Sequence, residues 1–460
     1  MRGKRFVRGL TLCFVLLPLA ALSADRPDRP SIVHYDLRLD LDVVGEKLSG
    51  EVTVTARGHG TGSDALSLDV GDLVIDSVAA GRERLAFDVA DHKLSVRLPA
   101  SLSEGRSARV SVRYHGQPKH GLRFFEDRRQ AYTAFSTSQW VPAVDAPDEK
   151  ATLRLRLTVP DGLVAVASGK QVGRRSPSAG RIEYEWVQRK PLPTYVFGFA
   201  VGPFRRVGET RSGLRLEYLG TLSEAELRRV FVETGSMIDF FEEKAGARYP
   251  GASYAQVLAA GEVEQEVGLF TLLSESYGRR LLDEPGDLGL MAHELAHQWW
   301  GNSVTCRDWN HFWLNEGMAT FLADAYLERR FGREVYSKKI EAARGDYDRV
   351  RRRGGDKPLV FPDWLKPSAD DRVIVYRKGA YVLHLLRESL GDAPFWAGLR
   401  AYTRRYLGGS VTTADFQSAM ETSTGRDLHD FFDRWVYSAG PDGAGSIVSS
   451  AHVAGGRECR

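Results

Sequence analysis

Cysteine is nearly absent from this chain. Three occur in 460 residues, Cys13, Cys306 and Cys459. That scarcity excludes a disulfide scaffold, so stability must come from a buried core. Cys306 and Cys459 could pair after export, but spacing cannot show it, because a disulfide needs α-carbons within about 7 Å. Long apolar runs are missing after the first thirty residues, and with them any membrane-spanning helix there. Charge of one sign is lacking too: 63 basic residues face 60 acidic ones. Nothing in that balance asks for a nucleic-acid partner. The run Arg349, Arg351, Arg352 and Arg353 reads as a solvated face.

The amino terminus differs from the rest. Arg2, Lys4, Arg5 and Arg8 precede an apolar run from Leu10 to Ala21, and small Ser23 and Ala24 follow. This is the order of a secretory signal, with cleavage expected after Ala24 and an exported product, periplasmic or extracellular. An uncleaved anchor is the alternative, although the run is short for a span. Loss of the four basic residues leaves the remainder slightly negative. With 43% hydrophobic residues, it is large enough for two or three domains.

Residues 25–205 read as a β domain. Tyr35, Leu37, Leu39, Leu41 and Val43 alternate with polar neighbours, a period of two that buries one face. The pattern repeats at Val52 and Val54, at Val110, Val112 and Tyr114, and at Leu153, Leu155, Leu157 and Val159. The last run ends in the turn Pro160-Asp161-Gly162. An antiparallel sheet or sandwich is expected. Residues 206–440 read as a second domain, in which the period becomes helical from about residue 223. Ser223–Lys244, Asp287–Trp300, Gly317–Phe331 and Tyr376–Leu390 are predicted helices, and Tyr254–Ala260 is predicted as a short edge strand. The fold class is therefore α+β, with strands first and a helix-rich domain after. Residues 441–460, rich in Gly, Ala and Ser, are expected to be a weakly packed tail.

His293-Glu294-Leu295-Ala296-His297 carries the chemistry. Two histidines four apart on a helix share one face, about 6 Å apart along the axis, and can both reach one zinc ion. Met291, Leu295 and Trp299 are expected to line the buried side of that helix. A catalytic zinc needs a third protein ligand and an open position. Glu316, in Trp313-Leu314-Asn315-Glu316-Gly317 at the start of a second helical segment, is the candidate. Glu294 is placed to work as a base beside the metal. A chance match in a core helix is the alternative, and a structural zinc usually closes with four protein ligands.

The run His293 to Asn302 (HELAHQWWGN), followed by Trp313 to Gly317, resembles the gluzincin zinc aminopeptidases related to aminopeptidase N. Phe240-Phe241-Glu242-Glu243 with Tyr249-Pro250, Tyr376-Arg377-Lys378-Gly379-Ala380, Asp145-Ala146-Pro147 with Lys150-Ala151, and Tyr195 to Gly202 extend the resemblance over about residues 30 to 440. It implies an amino-terminal β domain of sandwich or saddle form, followed by a thermolysin-like catalytic domain with one zinc ion. It implies peptide substrates, Glu294 as general base and Tyr376 as the oxyanion donor. His311 and His384 are expected to pack or support rather than ligate.

The pattern also departs from the family. The glutamate that holds a substrate's free amine lies in a Gly-x-Met-Glu-Asn strand, and here the stretch is Gly261-Glu262-Val263-Glu264-Gln265-Glu266-Val267-Gly268. Glu264, Glu266 and Gln265 each fit one reading. Gln139, in a shortened Ser138-Gln139-Trp140 segment, is a further candidate for substrate binding. Phe431 to Trp435 resembles the end of the catalytic domain, and little chain follows, so a more open site is expected. An aminopeptidase is the first reading. A zinc endopeptidase with an open cleft and a zinc-retaining binding protein are the alternatives.

Overall fold

The computed structural model describes residues 29–361, 364 and 367–440. The stretch read from the sequence as a secretory signal, the 441–460 tail and Cys459 lie outside them.

The alternating segments form one large sheet. Its eight strands run Lys170–Ser178, Arg181–Pro193, Lys150–Pro160, Ser31–Asp42, Lys47–Arg57, Ser107–Gly116, Val74–Ala80 and Glu83–Arg84. Tyr35, Leu37, Leu39 and Leu41 are buried, while Arg38, Asp40 and Asp42 face water. A three-stranded sheet containing Ser63–Asp69 and Lys93–Leu102 packs on the buried face, where Leu66, Leu68, Leu94 and Val96 join the same core. The sheet is not wholly antiparallel as expected. Ser31–Asp42 runs parallel to Lys150–Pro160, with Leu37 opposite Leu155. The chain between them is long enough to supply the crossover that parallel pairing requires.

A four-stranded sheet, Val164–Ala167, Phe199–Gly202, Gln130–Thr133 and Leu122–Phe125, follows. Its Tyr132, Val166 and Ala200 share a smaller core with Val257, Phe270 and Leu272 of the next sheet. That next sheet has five strands in the order Arg205–Arg211, Leu214–Gly220, Ser253–Ala259, Phe270–Ser274 and Glu264–Gln265. The expectation of an edge strand at Tyr254–Ala260 is corrected here. Ser253–Ala259 is the central strand, parallel to both neighbours and buried from Tyr254 onward. A parallel strand covered on both faces reads as a continuous apolar run, without the alternation that would reveal its place.

The predicted Ser223–Lys244 helix is two helices. Ser223 caps Glu224–Val230 in a reciprocal pair with Glu226. The chain then breaks and restarts as Thr234–Ala245. At the restart, Thr234 donates to buried Gln256 on the central strand, 2.5 Å away. The predicted Asp287–Trp300 helix is shorter, Gly289–Ala296, and the one expected from Gly317 starts at Trp313 and runs to Phe331. Arg333–Arg352 follows, and its last-turn Arg351 pairs with Asp348 one turn earlier, both half-buried. No helix among the described residues is long and apolar enough to cross a membrane.

Candidate active site

Gly289–Ala296 presents His293, and His297 ends it. Met291, Leu295 and Trp299 are fully buried on its other side. Trp313–Phe331 carries Glu316 in its first turn, where the helix dipole favours a carboxylate. The three side chains converge. The two Nε2 atoms are 3.1 Å apart, and each is 3.3 Å from Glu316 Oε2. Three ligand atoms around a tetrahedral ion at about 2.0–2.1 Å stand about 3.3–3.4 Å from one another, so the donor set fits zinc in type and spacing.

The far sides of both rings are held. His297 Nδ1 donates to the Trp300 carbonyl at 3.1 Å. His293 Nδ1 lies 3.4 Å from Thr320 Oγ1, whose own proton goes to the Glu316 carbonyl at 2.8 Å. These bonds aim both Nε2 lone pairs inward. Gly301 makes the first of them fit. Its φ is +126°, and a Cβ there would lie 2.8 Å from His297 Nδ1.

Tyr376 comes from a widened π turn, Val373–Lys378, that joins Ala369–Arg372 to the helix Gly379–Leu390. The predicted start of that helix at Tyr376 therefore falls inside a continuous helical run. Gly379 touches Gly317, and a Cβ on Gly317 would stand 3.0 Å from Gly379 Cα. Only two glycines allow the backbones that bear Glu316 and Tyr376 to cross so closely. The Lys378 ammonium donates to Asp356 at 3.1 Å and to the Lys357 carbonyl at 2.6 Å, which fixes the turn.

Glu264 lies on the short strand Glu264–Gln265 and Glu266 directly follows it, and both line the same cavity of about 400 Å³ as the triad, Glu294 and Tyr376. Gln265 points the other way, accepting from the Phe135 N–H at 3.1 Å. The period of two thus takes Gln265 out of the cavity. The structure places Gln139 elsewhere, against Gly71 and Gly121 in the β domain, and it does not line the cavity. His311 and His384 bond to Thr413 and Tyr336 and are not part of the triad.

Several supporting residues were not singled out from the sequence. Gln298 donates to the Val267 carbonyl at 3.0 Å and accepts from Leu269 N–H at 2.9 Å. Asn302 donates to the Glu266 carbonyl at 2.9 Å. The residues directly after the second histidine therefore strap the glutamate segment to the metal helix. Their signal was their place inside the His293–Asn302 motif. Tyr195 of the β domain donates to the Gly301 carbonyl at 3.0 Å and accepts from Asn315 at 3.1 Å.

Charge is concentrated here. Burial pushes the Glu294 carboxyl well up, and Glu266, Glu316 and Glu264 add to it against the opposing pull of His297. Burial, with help from Glu316, raises Glu266 to about 7. Glu316 is held down to about 2 against burial by His297 and His293. Several buried carboxylates around two imidazoles suit a bound cation.

Comparison with known proteins agrees with this geometry. The peptidase family M1 domain matches residues 286–435, and the peptidase M1 N-terminal domain matches residues 31–196. The chain belongs to the M1 peptidase family. It is 28% identical over 445 residues to aminopeptidase N of Lactococcus lactis subsp. lactis, covering 88% of this chain and 51% of that protein. It is 27% identical over 455 residues to leukotriene A-4 hydrolase of Xenopus laevis, covering 90% and 72%. The chain thus spans about half the length of the aminopeptidase N it matches. The M1 zinc metallopeptidase of Deinococcus radiodurans superposes with a TM-score of 0.77 at 25% identity, covering 90% of this chain and 95% of that one. A variant of it bound to a Tyr-Ser-Ala substrate gives 0.78 at 25% identity, covering 90% and 96%. These matches carry the α+β, two-domain reading and the zinc metallopeptidase class of this M1 chain.

Proposed function

We infer that this M1 peptidase is an exported aminopeptidase with one zinc ion, removing the first residue of peptides with a free amino terminus. The observation that carries the reading is the pair Glu264 and Glu266, which face the cavity shared with the triad. Two carboxylates beside the reacting centre suit a substrate ammonium. The M1 relatives named as aminopeptidases, and the neighbour bound to Tyr-Ser-Ala, support the substrate class. The basic, apolar and small-residue order before Asp25 supports export.

His293, His297 and Glu316 would hold the zinc, which supplies Lewis acidity that activates water and polarises a carbonyl. Glu294 takes a proton from the attacking water and returns it to the leaving amine. Its raised affinity for a proton in this buried setting suits that relay. Tyr376 donates its hydroxyl to the oxygen that gains charge.

The test is product identity. Leu-Ala-Gly-Phe incubated with the zinc-loaded protein should release free leucine first, as read by mass spectrometry. Glu294→Gln should keep its zinc and lose turnover by about a hundredfold or more. Internal cleavage as the first event would overturn the aminopeptidase reading, and zinc with no turnover on any peptide would favour a binding protein. An amino terminus beginning upstream of Asp25 in protein recovered from cells would overturn the signal reading.

A further inference from the structure

Past the triad, the cavity continues along the face of Trp313–Phe331 that carries Glu316, Thr320, Ala323 and Asp324. Asp324 is eight residues after Glu316, which places it about 12 Å further along the axis. It is only 6% exposed and lines the cavity. Among the described residues, no hydrogen bond or ion pair engages it. Lys339 and Arg377 act on it only through space. Arg377 leans instead toward Asp346, 3.6 Å away, and Lys339 is exposed beside Gly289. A buried carboxylate with no partner is unfavourable, and burial raises this one to about 6. Lys339 and Arg377 line the same cavity without pairing with Asp324, so a closer counter-charge can come from what enters the cavity.

The position decides which part of a peptide could supply that charge. Asp324 stands about 12 Å along the helix axis from Glu316, whereas the Glu264–Gln265 strand packs against Gly289–Ala296, which bears His293. Asp324 therefore belongs to a separate stretch of the cavity. With the amine held at Glu264 and Glu266 and the first carbonyl at the triad, the second residue is the next part of the peptide. A span of about 12 Å matches one extended residue plus a long side chain. Gly289, Leu290 and Ala323 give this lining a small apolar part that suits the methylene stem of lysine or arginine, alongside the charged side chains of Lys339, Arg372 and Arg377.

We propose that Asp324 is a specificity residue that binds the lysine or arginine side chain following the cleaved bond. The proposal rests on the amine-anchored reading above. It makes the enzyme select Xaa-Lys and Xaa-Arg amino termini, through a charge-assisted contact deep in the cavity.

The test compares Ala-Lys-Ala, Ala-Leu-Ala and Lys-Ala-Ala on the zinc-loaded protein. Ala-Lys-Ala should exceed Ala-Leu-Ala in kcat/KM by about tenfold, and Asp324→Asn should bring the ratio near one. Ala-Leu-Ala turnover, unchanged within about twofold in that variant, shows that it is folded. Calorimetry on Glu294→Gln should give the same preference in Kd. A ratio near one in both measurements overturns the proposal whatever the Asp324 variant does, and so does a preference confined to Lys-Ala-Ala. Equal cleavage of acetyl-Ala-Lys-Ala would overturn amine anchoring alone, since the lysine-to-leucine ratio is read separately.

Discussion

The ring of Tyr376 stacks on that of His293, with centroids 6.0 Å apart and planes 18° from parallel. Its hydroxyl reaches toward the Glu316 carboxylate. Tyr376 is therefore positioned by two residues of the triad as well as by the turn that Lys378 fixes. Tyr376→Phe removes one oxygen and leaves the stack. It should lower kcat by about a hundredfold to a thousandfold with zinc content unchanged. Steady-state kinetics with metal analysis on the same sample checks this, and a variant that loses its zinc would count against the assigned role.

Gly301 tests the support of the metal. Gly301→Ala combines a φ of +126° with a Cβ 2.8 Å from His297 Nδ1. It should weaken zinc binding by about ten- to a hundredfold through a displaced His297, as measured by chelator competition. Wild-type affinity in that variant would mean that the contact with the Trp300 carbonyl does not orient the ring.

Asn302 tests the strap on the glutamate segment. Asn302→Ala removes the donor to the Glu266 carbonyl and leaves the triad side chains in place. KM for amino-free peptides should rise about tenfold while kcat changes less and zinc stays bound. A fall in kcat with KM unchanged would contradict a role in holding the amine-binding segment.

Glu149, which does not line the cavity of the triad, offers a pH test. Burial raises its carboxyl to about 7, opposed by the bond from the Ile32 N–H. Because the folded value exceeds the ordinary 4.5, its contribution to stability is fully present below about 4.5 and is lost as pH rises through about 7. Glu149→Gln should therefore gain stability over the wild type between pH 5 and 8, and gain least below pH 4.5. Denaturant midpoints across that range measure it, and a parallel pair of curves would contradict the burial argument.

The parts of this molecule legible in its sequence are those governed by local periodicity. Ser31–Asp42 showed its alternation because one face is wet, and His293 and His297 showed theirs because two ligands on one helix face stand four apart, while Glu316, on a second helix, showed through the motif around it. Ser253–Ala259 hid its central position because both its faces are dry. The break before Thr234 and the inward turn of Gln265 depend on partners distant in the chain, Gln256 and Phe135. Asp324 was silent for the same reason: nothing in its neighbours along the chain reveals that it faces the cavity of His293.

The most direct measurement is kcat/KM of the zinc-loaded protein for Leu-Ala-Gly-Phe and for the same peptide acetylated at its amine, each repeated with Glu264→Gln and Glu266→Gln. Amine anchoring predicts that acetylation lowers kcat/KM by about a hundredfold, and that one or both substitutions erase much of that difference. Equal rates on the free and blocked peptides would contradict it, and would leave these glutamates without a part in substrate choice.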